Sequence, residues 1–282
     1  MTEKKYFIKY GSNVKTADLS QQILNDPLLP QLKSIIVGMW DEEMYESTPN
    51  AIFEMIIENK EKFQHIEALF IGDMEQEENE VSWIYQCCYE NLLNALPNLK
   101  SLKIKGSDGL TLGKVDHKNL ESLEIITGGL PVAVVNSLKT ANLPSLKSLI
   151  LYAGVEDYGG DCKASDFAAV AQKSLFPNLK TLGFVNSEKQ DELVQVILES
   201  DILPQLEEVL VSCGTLSDRG AQLILDAADK LSHIKKLDAS HHYMSDEMMK
   251  KLQALPFEVN TDDQNEPDVY DGETYLYPMI TE

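Results

Sequence analysis

The residues best suited to do chemistry are His241 and His242, which stand side by side four residues before Asp246. Imidazole and carboxylate are the donor set of a divalent metal site. Adjacent residues at a strand end point to opposite sides, however, so this pair does not converge on one ion. His65, His117 and His233 lie in separate stretches without matching spacing. The four cysteines, Cys87, Cys88, Cys162 and Cys213, form no Cys-x-x-Cys pair, and two of them are adjacent. That pattern argues against a disulfide framework and suits a reducing cytoplasm. Cys87 and Cys88 are expected to pack within an outer helical segment. No cysteine has a histidine nearby in sequence to activate it. Phosphate-cradling, nucleophile-elbow and His-Glu-x-x-His patterns are all missing. The expectation is a protein with no catalytic residue, no cofactor and no metal; a metal-dependent hydrolase on an acidic rim is the third-ranked reading.

The remaining chemistry is recognition. Acidic residues gather in a series of short loops: Asp41, Asp73, Glu156, Asp157, Asp218 and Asp246, with neighbours such as Glu42, Glu43, Glu75 and Asp161. Several sit where a helix would begin, and there a negative charge is favoured by about 0.3–1 kcal/mol. The rest would steer a basic partner. The whole chain of 282 residues carries 24 Lys+Arg against 46 Asp+Glu, a net charge of −22. Such a surface repels phosphate backbones and anionic membranes, so neither nucleic acid nor membrane is an expected partner. No run approaches the ~18 apolar residues of a membrane span, and Met1-Thr-Glu-Lys-Lys has no signal-peptide character.

These loops are positioned by a repeat. Four apolar anchors recur at i, i+3, i+6 and i+8. They are Leu29, Leu32, Ile35, Val37; Phe63, Ile66, Leu69, Ile71; Leu96, Leu99, Leu102, Ile104; and His117, Leu120, Leu123, Ile125, where a histidine leads. Then come Leu143, Leu146, Leu149, Leu151; Phe176, Leu179, Leu182, Phe184; Leu203, Leu206, Val209, Val211; and Leu231, Ile234, Leu237, Ala239. Pro follows the first anchor in repeats one, three, five, six and seven, which ends the preceding helix. The last two anchors alternate with outward residues, as on a strand. Between repeats lie helical signals: Thr48-Pro49 before Ile52, Phe53, Ile56 and Ile57; Val81–Leu96; Pro131–Ala141; Ala164–Leu175; a capping box at Ser187–Gln190; and Ser217 and Ser245 as N-caps. Strand plus helix, repeated, predicts a parallel sheet inside and helices outside, eight strands spanning roughly 35–40 Å. The step holding Gly106–Gly113 is too short and too glycine-rich for a helix.

Three columns of side chains then face away from the core. The middle one reads Ile36, Phe70, Lys103, Glu124, Ile150, Gly183, Leu210, Asp238. The next reads Gly38, Gly72, Lys105, Ile126, Tyr152, Val185, Ser212, Ser240. A solvated face would be mostly polar. Ile36, Phe70, Ile126, Ile150, Tyr152, Val185 and Leu210 instead form an apolar strip, the mark of a partner site. The competing reading is coverage by the chain's own cap or tail, or by a twin chain.

The anchors and the Leu-Pro lead resemble the leucine-rich repeat. The repeat lengths near 28 and the helical outer segments are similar to the ribonuclease-inhibitor-like class. Eight residues after the second anchor, where that pattern carries Asn or Cys, stand Trp40, Met74, Ser107, Gly128, Gly154, Ser187, Gly214 and His242, so no asparagine ladder is expected. Gly72–Glu75 with Val81–Ile84, Thr127–Pro131, Asp157–Asp161, Gly214–Asp218 and His241–Asp246 look like a family of bacterial cytoplasmic leucine-rich-repeat proteins. The resemblance implies fold and compartment, and no reaction. The expected architecture is an α/β leucine-rich-repeat solenoid, a curved horseshoe of about eight irregular repeats over residues 29–255. Residues 1–28, with a strand at Tyr6–Tyr10, form an N-terminal cap. Residues 256–282 form an acidic C-terminal cap or tail, with Phe257–Asn260 a degenerate ninth strand. From Glu258 onward this tail has eight acidic residues and no Lys or Arg. It either stays solvated or folds Tyr275–Ile280 back over the last repeat. The expected function is a cytoplasmic, non-catalytic scaffold, monomeric or weakly self-associating, that binds a protein partner, basic or amphipathic, on its concave face. An obligate homo-oligomer covering that face is the alternative.

Overall fold

An anchor every third residue and then every second one fills a coil whose inner side is a strand, and such coils bury their anchors only against one another. The computed structural model, which describes residues 2–43, 45 and 47–281, has this arrangement. Ten strands form one parallel sheet in chain order: β1 (Glu3–Tyr6), β2 (Ser34–Val37), β3 (Ala68–Ile71), β4 (Ser101–Lys105), β5 (Ser122–Ile126), β6 (Ser148–Gly154), β7 (Thr181–Ser187), β8 (Glu208–Leu210), β9 (Lys236–Asp238) and β10 (Glu258–Asn260). At ~4.8 Å per strand the sheet is about 43 Å long. Helices return on the other side: α1 (Thr16–Leu24), α2 (Asn50–Glu58), α3 (Glu90–Ala95), α4 (Val132–Leu138), α5 (Ala164–Val170), α6 (Gln190–Glu199), α7 (Asp218–Asp226) and α8 (Asp246–Gln253). This is a leucine-rich-repeat solenoid of the α/β class. All four anchors of all eight repeats are buried, the leading His117 included.

The structure has more strands than the anchors reveal. β1 lies earlier than the Tyr6–Tyr10 expectation and pairs in parallel with β2, and α1 follows it. Phe257–Asn260 is no remnant: β10 pairs with β9 in register. Val81–Leu96 is not one helix. It contains a short 3₁₀ turn at Val81–Trp83, then an extended stretch, then α3. Tyr85 and Cys88 bridge in parallel to Asp108 and Thr111, so Cys87 and Cys88 lie on extended chain rather than in a helix. The physical reason is the partner: residues 106–121 are also without helix, and the two extended segments satisfy each other's backbone groups.

Two polar devices tie coil to coil. At the end of most strands, or just beyond it, the chain passes through one left-handed residue: Gly72, Gly106, Gly154, Asn186, Cys213, His241 and Asp263. Glycine tolerates that conformation freely and Asn better than most. At the other end of the strands, the residue two after the first anchor donates to the preceding coil in repeats two to eight. Asn98, Asn119 and Asn178 each reach a backbone oxygen at 2.8 Å (on Gln64, Pro97 and Pro144), and Ser145 reaches that of Lys118 at 2.6 Å. Gln205 bonds Phe176 and Leu179, while His65 and His233 bond the carbonyls of Leu29 and Leu203. The unmatched histidine spacing in sequence hides this shared role.

At the first coil, Asp26 has a side chain only 5% exposed and receives Lys4 and the Tyr6 hydroxyl, the latter at 2.7 Å. The Lys4 hydrogen bond, then that of Tyr6, holds the Asp26 carboxyl down at about 2.

Two expectations follow from the packing. Leu123→Asp, which places an unpaired charge among buried anchors of β5, is expected to cost about 3–5 kcal/mol and to remove the cooperative thermal transition. Asn178→Ala, which removes one coil-to-coil bond, is expected to cost only about 1 kcal/mol, read as a lowered urea midpoint with unchanged slope.

Candidate functional site: the concave face and its rim

The register places the middle column as one row across the sheet. Ile36 faces Phe70, Phe70 faces Lys103, and the row continues through Glu124, Ile150, Gly183, Leu210 and Asp238. Ile36, Phe70, Ile150 and Leu210 are each only partly buried. Gly183 lies between the last two, and a methyl added there would meet Ile150 at 3.1 Å and Leu210 at 3.2 Å. These three residues therefore make one apolar patch. The charged interruption is internally paired: Lys103 meets Glu124 at 3.2 Å and sits 5.1 Å from the centre of the Phe70 ring. Asp238 accepts from the Ser240 amide and hydroxyl and from Asn260.

The next column is less open. Tyr152 is partly buried, and burial pushes its phenol well above the usual range. Lys105 donates to the Met74 carbonyl, and burial pulls its ammonium down. Ile126 is only 8% exposed and Val185 only 1%. Neither of these two offers a surface to a partner, which corrects the sequence expectation for both. The residue after Val185, Asn186, binds the chain's own C-terminal segment through hydrogen bonds to Ile280. That segment crosses the strand ends from β9 towards β5. It does not cap the end of the last repeat. The acidic stretch before it forms an exposed hairpin, β11 (Asp268–Tyr270) and β12 (Glu273–Tyr275).

The acidic rim divides by role. Asp41 pairs with Lys15 at 3.0 Å and Asp73 with Lys5 at 2.9 Å. Asp218 accepts the Ser245 amide at 2.7 Å, and Asp246 opens α8 and meets Gln264. Asp191 accepts the Ser217 amide and hydroxyl, and Asp161 accepts the Val132 amide at the start of α4. Four of the six predicted rim residues thus hold coil to coil or cap a helix. Glu156 and Asp157 are exposed, and Asp157 lines a rim cavity of about 470 Å³ with Trp83, Asp108 and Tyr158.

His241 and His242 diverge as expected for adjacent residues. His242 is buried, with its Nε2 against the Thr261 carbonyl at 3.1 Å and its Nδ1 accepting the Met244 amide at 3.0 Å. Both ring nitrogens are engaged, which fixes a neutral imidazole as a structural bridge between coils. Gln86 does the same work by donating to the Lys105 carbonyl, and Gln190 braces its own coil by donating to the Phe184 carbonyl, both at 2.7 Å. These side chains take the place of the missing asparagine ladder. Sequence reading missed them because their types and positions differ from coil to coil. Among the described residues, no group of three His, Cys, Asp or Glu is placed to hold a metal ion, and no helix is long and apolar enough to cross a membrane.

A solenoid with a sheet-lined face and helical back defines the class, a leucine-rich-repeat protein. The chain is similar to a protein from Bacteroides fragilis whose crystal structure was solved as a structural-genomics target. The two are 47% identical, with a TM-score of 0.88 over 93% of this chain and 75% of that one. The chain belongs to the family of that protein. It is also similar to TLR13 in its complex with ssRNA13, at 14% identity and a TM-score of 0.40, over 94% of this chain and 36% of that one, a likeness too slight to carry an argument. No family model and no curated protein matches the chain.

Burial holds the His242 pKa below its ordinary value. The unfolded chain therefore binds a proton that the folded chain refuses, so this contribution to stability is present above the unfolded value near 6.5 and is lost as pH falls through the lower folded value. The melting temperature is expected to drop as pH falls below about 6.5, and His242→Gln is expected to flatten that drop.

Proposed function

We propose that the protein is a non-catalytic scaffold that binds a protein partner, basic or amphipathic, on its concave face. The observation that carries this reading is the row Ile36, Phe70, Ile150, Leu210: apolar side chains in register on a rigid sheet, still partly open after the chain has folded its own tail back. Soluble proteins rarely leave such a row uncovered without a use. The preformed surface lowers the ordering cost of association, and a net charge of −22 speeds encounter with a cationic partner. Glu156 and Asp157, exposed at the rim, are the predicted acids best placed to contribute. The ribonuclease-inhibitor-like class is supported by repeats near 28 residues with an α-helical back. A cytoplasmic location is supported by four thiols without disulfide spacing.

Self-association over the same face is the second reading, favoured by the same open apolar row, which a second copy could also meet. Affinity capture from a lysate of the source organism separates the two. Wild type is compared with a variant carrying Lys at positions 36, 70, 150 and 210. A partner held by wild type and lost by the folded variant supports the scaffold. The same proteins on both, or a concentration-dependent dimer of wild type alone, removes it.

A further inference from the structure

The C-terminal segment Leu276–Thr281 occupies a seat whose contacts are made to its backbone. Asn186 grips Ile280 on both sides: its side-chain amide donates to the Ile280 carbonyl at 2.6 Å, and its side-chain oxygen accepts the Ile280 amide at 2.8 Å. The Met279 amide donates to the Cys213 carbonyl at 2.8 Å. The Tyr243 hydroxyl donates to the Tyr277 carbonyl at 2.9 Å and accepts the Tyr277 amide at 3.1 Å. At the far end Gly128 lies against Thr281; a methyl on Gly128 would fall 2.5 Å from the Thr281 carbonyl oxygen. The Asn186 side-chain amide makes a second bond, to the Thr127 carbonyl at 3.3 Å.

This geometry reads an extended peptide. A side-chain amide pairing with both the N–H and the C=O of one residue imitates a neighbouring strand, and it works for any residue at that position. Side-chain selection comes from alternation. Pro278 is buried and Leu276 and Ile280 are partly buried, while Tyr277 and Met279 are 52% and 60% exposed. Thr274–Thr281 carries no charge, whereas Glu258–Glu273 carries seven acids. The seat has therefore taken the one neutral stretch of an acidic tail and left the charged hairpin in solvent. Asn186 itself is fully buried and left-handed, with a φ of 55°. Without an occupant, a buried amide would lose most of its partners, so the seat is built to be filled.

We propose that the rim from β5 to β9 is a peptide-binding groove for an extended apolar-x-Pro-x-apolar segment, held in the isolated chain by its own residues 276–281 and open to such a segment of a partner protein when they leave. This site is separate from the middle column and stands on the terminal contacts alone.

The test uses the full chain in three forms: wild type; a released form with Pro278→Asp and Ile280→Asp; and a second released form, Gly128→Val, whose tail sequence is intact. The probe is a fluorescent peptide of sequence Leu-Tyr-Pro-Met-Ile, which lacks the threonine that a side chain at position 128 would strike. Both released forms are expected to bind it at least tenfold more tightly than wild type. Asn186→Ala added to either released form is expected to remove binding. Thermal melts confirm that each variant is folded. Equal affinity for wild type and the folded released forms, or binding untouched by Asn186→Ala, overturns the groove. A released form that becomes a dimer by light scattering makes a second copy the occupant and overturns the partner assignment.

Discussion

Everything in this structure depends on the burial of one coil's anchors against the next. A single coil cannot cover its leucines; a stack of them buries all four positions in every repeat. The backbone ladder of ten parallel strands then follows, since coils stacked at the spacing of packed side chains also stand at hydrogen-bonding distance. Ladder bonds hold register, and register sets the row of outward side chains. The proposed interaction surface is thus a by-product of core packing: each core anchor on a strand fixes what its neighbour presents to the concave side.

Polar groups act as clasps within that frame. The left-handed residue at the end of most strands turns the chain out of the sheet, the donors two residues beyond most first anchors and the buried Gln86 and His242 tie one coil to the next, and Gln190 braces its own coil. Most acids that look like a charged rim have the same duty. Asp218 and Asp191 bind amides of the following coil, so their charge is partly spent within the fold. The rim's electrostatic reach rests on its freer members, such as Glu156 and Asp157, and on the total charge.

The fold was legible in the sequence because anchor spacing is a direct record of burial. The predicted middle column, from Ile36 to Asp238, matches the pairing register at every step. Less visible were units whose anchors are weak. β1 and β10 have no four-anchor signature, and α1 begins after a polar turn, so the two outer strands read only as a cap strand placed too late and a degenerate ninth strand, outside the eight repeats. The helical expectation over Val81–Leu96 failed because the competing partner, residues 106–113, is remote in sequence, and periodicity cannot register a remote strand. For the site, Ile36, Phe70, Ile150 and Leu210 stayed open as their alternation implied. Ile126 and Val185 did not: both are buried, and the residue after Val185 meets Ile280, about a hundred residues downstream. A local pattern says which way a side chain points, not what later arrives on top of it.

The central claim is that the open concave row, and not the helical back, meets the partner. Photo-cross-linking tests it most directly. A benzoylphenylalanine is placed at Ile150 in one protein and at Gln222, exposed on α7, in another. Both are irradiated in lysate and separated by mass. The account expects a discrete cross-linked species from position 150 and none from position 222. The same species from both positions, or from 222 alone, would contradict it.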